Sequence, residues 1–178
     1  HTDHTQGLMD VMEMLGVRNL IIPSLDDETC FAELLESAGN KGIPVTRCSN
    51  GMVINLDRNT FMHVLNPETR FKADEDSLNN TSLVLRLCYK DTSLLLMGDA
   101  EREVEEKLAK SAFAQLLDAD VIKIGHHGSS TSTGETFLEA VDPVAAVIST
   151  GRNNFGHPSK KVLRLLEEKG IRYFRTDE

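Results

Sequence analysis

The strongest constraint on the fold lies in the second half of the chain, where short apolar runs alternate with helical patterns. "DVIKIG" (120–125), "VAAVIST" (144–150) and "IRYFRT" (171–176) each read as a short buried strand bounded by turn residues. A short helix closing at Phe137 to Val141 separates the first pair, and a helix over Ser159 to Lys169, stopped by Gly170, separates the second. Two successive strand-helix-strand passages predict a mixed sheet covered by helices on at least one face, an α/β architecture.

Upstream, "SLVLRLCY" (82–89) and "SLLLMG" (93–98) form two strong strands joined by Lys90-Asp91-Thr92, a hairpin pattern, and Glu101 to Leu117 reads as one long charged amphipathic helix. The first half predicts helices over Thr5 to Leu15 and Asp26 to Ala38, stopped by Gly16 and Gly39. Its strands are expected over 19–23, 43–48, 52–56 and 61–65, with a polar stretch over 66–81. No repeat or low-complexity linker divides the chain, so residues 1–178 are expected to be one domain.

Composition narrows the function classes. The net charge of -9 argues against binding nucleic acid through a broad basic face, although divalent cations at a site could supply positive charge locally. With no Trp, two Tyr and seven Phe, an aromatic platform for single-stranded bases is not evident. No apolar run reaches the roughly 18–20 residues of a membrane span, and the first residues do not resemble a signal peptide. Cys30, Cys48 and Cys88 lack the spacing of a zinc knuckle and are expected to be small buried apolar residues.

The chemistry concentrates at loops that end strands or open helices. They are "HTDH" (1–4), Asp99 in "LLLMGDAE", His126 and His127 in "VIKIGHHGSSTSTG", and His157 in "NNFGHPS". Each has a plainer explanation. "HTDH" could be a frayed terminus, Asp99 suits a helix N-cap before "AEREVEE", and His157 could be a helix-entry residue. Ser129, Ser130 and Thr131 could be turn formers or hydroxyl donors to a phosphate. His63, inside a strand, is expected to be outward-facing or satisfied. Adjacent imidazoles on a glycine turn gain nothing from packing, however. Open α/β sheets place their sites at strand ends, and imidazole with carboxylate is a donor set for Zn, Mn or Fe.

"HTDHTQG" resembles the end of the HxHxDH, or HxDxDH, signature of the metallo-β-lactamase superfamily, and "LLLMGDAE" its strand-ending aspartate motif. "NNTSLVLRL", "LLMGDAEREVEEKL", "ADVIKIGHHGSSTST", "VDPVAAVISTGRNNFGHPSKKVLRLL" and "RYFRTD" resemble the β-lactamase-like domain of the ComEC family of DNA-uptake competence proteins, across nearly the whole chain.

The resemblance implies an αββα sandwich of metallo-β-lactamase type, with mixed sheets and the N-terminal part missing. It implies a phosphodiesterase using two divalent metal ions, Zn or Mn, on single-stranded DNA, and degrading the strand that is not imported. It places the domain on the extracytoplasmic side of a membrane-embedded competence protein. Carried across motif by motif, Asp3 and His4 would hold one metal with His157. His1 would help hold the other with a histidine of the His126–His127 pair, and Asp99 would bridge. Asp3, Asp99 and His127 would serve catalysis, and Ser129, Ser130 and Thr131 the phosphate. The first motif is incomplete here, and a separate second-motif histidine has no counterpart unless His63 or the "NNTS" loop fills that space. A free-standing hydrolase of a smaller phosphoester or ester and a non-catalytic binding module are the rival readings.

Overall fold

A computed structural model describes residues 2–69 and 75–178. The helices are α1 (Thr2–Met14), α2 (Ala32–Asn40), α3 (Arg102–Ala109), α4 (Glu135–Val141) and α5 (Lys160–Glu168). The first strands are β1 (Leu20–Pro23), β2 (Val45–Cys48), β3 (Val53–Asn55), β4 (Thr60–Asn66) and β5 (Val84–Tyr89). The remainder are β6 (Thr92–Leu96), β7 (Val121–Lys123), β8 (Ala145–Ile148) and β9 (Arg172–Arg175).

β1 and β2 pair in parallel, and β3 to β9 form a seven-stranded sheet in simple chain order. The sheet changes character at β6. From β3 to β6 every pairing is antiparallel, whereas β6, β7, β8 and β9 run parallel. Parallel neighbours need crossovers, and α3, α4 and α5 supply the three of them. Leu95, Ile122 and Ala146 stand in register on one face of this half and are almost fully buried under Val104, Leu108, Leu138, Val141, Val162 and Leu166 of those helices. Crossovers of one hand along a monotonic strand order put every helix on the same side. Each Leu or Ile sealed in this way contributes about 1.5–3 kcal/mol. A second cluster of Met12, Leu34, Ala38, Leu20, Ile22 and Ile43 joins α1 and α2 to β1 and its surroundings.

Three boundaries differ from expectation, each for a local reason. The long helix over Glu101 to Leu117 stops at Ala109, and a separate 3-10 turn forms at Ala114–Leu116. Ser111 breaks it, because its hydroxyl donates to Leu108 O at 2.8 Å and accepts from Phe113 N at 3.0 Å. The second helix begins late because Asp27 accepts from Thr29 N at 2.9 Å, folding a 3-10 turn at Thr29–Phe31 first. The opening segment is helix from Thr2 rather than loop, with polar residues suited to a helix start. Cys48 and Cys88 are buried as expected, but Cys30 on the 3-10 turn is exposed.

Candidate metal centre

Because β6, β7 and β8 are parallel, their C-terminal ends open at one edge of the sheet. That edge releases Gly98-Asp99, then Gly125 to Gly128, then the loop from Ser149 to His157. The glycines around the histidine pair are set by space. A Cβ on Gly125 would lie 2.7 Å from Ala100 O, and one on Gly128, at φ +79°, would lie 2.7 Å from Pro158 Cβ. Between them His126 and His127 both adopt left-handed backbone, φ 46° and 53°. That conformation costs a non-glycine residue about 1–2 kcal/mol. The strain turns both imidazoles off the strand end, which packing alone would not require.

α1 meets this edge through His4, whose Nε2 lies 2.7 Å from Asp99 Oδ2, while His127 Nε2 lies 3.5 Å from Asp99 Oδ1. The rings of His4 and His127 are 5.3 Å apart, and donor atoms of His4, Asp99 and His127 all fall within 4.8 Å of one another. Asp99 is 5% exposed, and its Oδ1 is buried without a hydrogen bond among the described residues. His127 Nδ1 lies 2.7 Å from Ser149 O. A carbonyl can only accept, so Nδ1 carries a hydrogen, and in the neutral ring the Nε2 lone pair is what His127 turns toward Asp99. Two imidazoles with one carboxylate are a donor set that suits a divalent transition metal, which would take the place of the proton shared by these groups.

The electrostatics agree. Burial alone would raise the Asp99 carboxyl, but the hydrogen bond and charge of His4, with His127 and His126 behind them, hold it below the ordinary carboxylate range. His157 is pushed below the usual histidine value, first by burial and then by His126 and His127, which favours the neutral form a metal needs. Its ring sits 5.5 Å from that of His126, and its Nδ1 is buried without a hydrogen bond among the described residues.

No family model matches the chain. It is 40% identical over 178 residues to ComE operon protein 3 of Bacillus subtilis, a match covering 99% of this chain and 22% of that protein. It is 38% identical over 114 residues to competence protein ComA of Neisseria gonorrhoeae, covering 64% of this chain and 16% of that one. Among solved structures it resembles a mutant of the CmlA beta-hydroxylase, a protein of β-lactamase fold, with a TM-score of 0.64 at 14% identity over 98% of this chain and 41% of that one. The chain is a ComEC-like domain of metallo-β-lactamase fold. It spans about a fifth of the first of these relatives.

Within the ComEC-like domain the remaining candidates fall as follows. His1 lies outside the described residues, as does the side chain of Asp3 on the first turn of α1. Ser129 is buried, Ser130 and Thr131 are exposed, and the Ser129 and Thr131 hydroxyls lie 2.9 Å apart within the loop itself. His63 stands on β4 opposite Arg86, edge-on to Phe61. The "NNTS" loop does reach the centre. Asn79, Thr81 and Ser82 line a cavity of about 320 Å³ together with His4 and Asp99.

Reasoning from sequence missed Glu101. It occupies the N-cap position of α3 yet makes no side-chain cap bond. Its Oε1 instead lies 3.0 Å from His126 Nδ1 and accepts from Thr131 Oγ1 at 2.9 Å and Asn79 Nδ2 at 3.1 Å. A carboxylate accepts from the imidazole N–H, so Glu101 fixes His126 with its Nε2 lone pair outward. One oxygen thereby ties the "NNTS" loop and two points of the β7–α4 connection to the start of α3. Four positions on, buried Glu105 accepts from the backbone N–H groups of Thr133 at 2.6 Å and Gly134 at 2.7 Å, pinning the segment after the histidine pair. Only Glu101's place in "GDAE", beside the aspartate motif, could have drawn attention to it.

Proposed function

We propose that the ComEC-like domain is a metal-dependent phosphodiesterase that acts on single-stranded DNA during uptake, degrading the strand that is not imported. The observation that carries this reading is the convergence of His4, Asp99 and His127 within 4.8 Å, on a chain 40% identical to a ComE operon protein. In this reading His4, Asp99 and His127 hold one divalent ion, Zn or Mn. His126 and His157, whose rings lie 5.5 Å apart, would help hold a second, with Asp99 shared between the two and His1 and Asp3 as further ligands carried over from the sequence motif. When bound, such ions supply Lewis acidity and offset the charge that builds on a phosphodiester under attack.

The chain's own residues do the rest. Ser149 O and Glu101 hold Nδ1 of His127 and His126 and so keep both Nε2 atoms turned to the centre. Burial keeps His157 neutral and available as a donor. Ser130 and Thr131, exposed beside the histidines, offer hydroxyls to phosphate oxygens, with Ser129 bracing Thr131. Neutral imidazoles leave the bound ions with net positive charge, which draws a phosphate chain to a domain that is otherwise acidic. The domain works on the extracytoplasmic side of the membrane as part of a larger competence protein; among the described residues no helix is long and apolar enough to cross a membrane.

The test is degradation of labelled single-stranded DNA with added Mn or Zn, against a chelator control. Asp99→Ala and His157→Ala are each expected to lower the rate by about 100-fold or more, as losing a group aimed at the reacting charge does. Full cleavage by both variants would refute the assignment.

A further inference from the structure

The densest charge anomaly in this acidic chain adjoins the metal centre. The chain carries 28 acidic residues in 178, which would put about four into a stretch of 24; residues 143–166 contain none, but hold Arg152, Lys160, Lys161 and Arg164. All four are exposed, and none makes an ion pair among the described residues. Lys160 and Lys161 open α5, where the helix dipole disfavours cations and Asp or Glu would normally stand. Lys160, Lys161 and Arg164 line a groove against α3 and α4. The acids of that groove are mostly engaged: Glu105 with the Thr133 and Gly134 amides, Glu106 with Lys110 and Glu135 with Lys169, leaving Glu168.

The same segment presents an aromatic ring. Phe155 is 83% exposed, yet its loop is tightly built around Asn153. The Asn153 amide donates to Gly151 O at 2.8 Å and His157 O at 2.7 Å, and its oxygen accepts from Phe155 N at 3.1 Å and His157 N at 3.0 Å. Phe155 stacks on His157 at 6.0 Å and 25°, so one face meets a candidate ligand and the ring stands in solvent. A large apolar side chain in water on a hydrogen-bonded loop, followed within nine residues by three cations that make no ion pair among the described residues, matches what a single strand needs, a ring for a base and cationic groups for the backbone.

We propose that residues 152–164 form a single-stranded nucleic-acid subsite, in which Phe155 stacks one unpaired base next to His157 while Lys160, Lys161 and Arg164 lead the phosphates into the groove between α5, α3 and α4. It rests on the nuclease reading for its purpose but not for its test. In this proposal Phe155 would supply the aromatic platform that composition alone does not make evident.

The experiment is fluorescence anisotropy with the chain in chelator, so that no hydrolysis intervenes, using a labelled oligothymidylate, an abasic oligonucleotide of equal length and a duplex. Phe155→Ala is expected to weaken oligothymidylate binding about tenfold and abasic binding less than twofold, and Phe155→Trp to restore it. The Lys160→Ala, Lys161→Ala double variant is expected to weaken both single strands and to shallow the salt dependence by about 1.4 in log–log slope, roughly 0.7 for each phosphate no longer neutralised. Arg58→Ala, a charge removed elsewhere, is expected to leave the slope alone. Equal losses on thymidylate and abasic strands, equal affinity for duplex, or an unchanged slope in the double variant would overturn the subsite. If these binding effects appear but Mn and Zn support no cleavage, the hydrolase reading fails and the subsite stands; cleavage without them gives the reverse.

Discussion

The two halves of the large sheet differ in how their short turns and long connections are held. In the antiparallel half the β3–β4 turn is closed by its own residues, where Asp57 accepts from Asn59 N at 2.7 Å and from the Thr60 hydroxyl at 2.9 Å, and the long β4–β5 connection is tied through Asn79 to Glu101 of the parallel half. In the parallel half, loops are held from a distance. Glu101 and Glu105 reach residues 25 to 30 positions away in sequence to pin His126, Thr131, Thr133 and Gly134. Parallel strands leave all their C-terminal ends at one edge, which assembles a site, but the connecting segments are too long to close themselves. Antiparallel strands send alternate ends to opposite edges, and His63, in that half, stays outside the cluster of His4, Asp99 and His127.

The long-range anchoring is where the comparison breaks most visibly if it is wrong. Glu105→Ala would leave two backbone N–H groups without their acceptor in a buried setting, at about 1–3 kcal/mol each. Urea titration is expected to show a loss of about 2–4 kcal/mol, whereas Asp57→Ala, in a self-closing exposed turn, should cost well under half of that. Burial raises the Glu105 carboxyl, while the two amides and Arg102 pull it back. Part of the gross hydrogen bonding is therefore offset by desolvation. Similar losses in the two variants would erase the distinction between the halves.

A smaller effect separates anchoring of the site from anchoring of the fold. Glu101→Asp places a better capping residue at the start of α3 but shortens the reach to His126 by one methylene. Thermal stability of the metal-free chain should hold or rise, while affinity for Zn or Mn by competition titration should fall about 10- to 100-fold, as it does when the orienting partner of a ligand is lost. Unchanged affinity would mean that His126 needs no such support.

How much of this could be read beforehand follows the same division. The parallel half was legible because "DVIKIG" and "VAAVIST" are unambiguous buried strands, and a histidine doublet between Gly125 and Gly128 has no packing purpose. Asp99 could be weighed only between cap and ligand; its cap reading falls because α3 starts two residues later, leaving the N-cap position to Glu101. Glu101 and Glu105 were invisible for a physical reason. On a charged helix a carboxylate reads as a solvated face, and only tertiary structure shows that Glu105 is 1% exposed and that Glu101 is turned to three partners on two other loops. The break at Ser111 and the late start after Asp27 were missed because side-chain-to-backbone bonds outcompeted helix propensity.

The smallest effect concerns His63 and the antiparallel half alone. Burial, and then the charge of Arg86 across the β4–β5 pair, push His63 below the usual histidine value. The sign follows from linkage. The unfolded chain binds that proton near pH 6.5, whereas the folded chain resists it, so the native state keeps its full stability above about pH 6.5 and loses some as the pH falls through that value. His63→Gln removes a group that must be held neutral. Its urea midpoint should therefore drop less than that of the unaltered chain between about pH 7.5 and pH 5.5, with chelator present throughout. A residual slope is expected, because His157 is shifted in the same direction by its own burial and by its histidine neighbours. Metal affinity of His63→Gln at neutral pH should match that of the unaltered chain. Loss of affinity there would tie β4 to the cation site and end the separation of the halves; an unaltered acid slope would show that the burial of His63 carries no proton linkage.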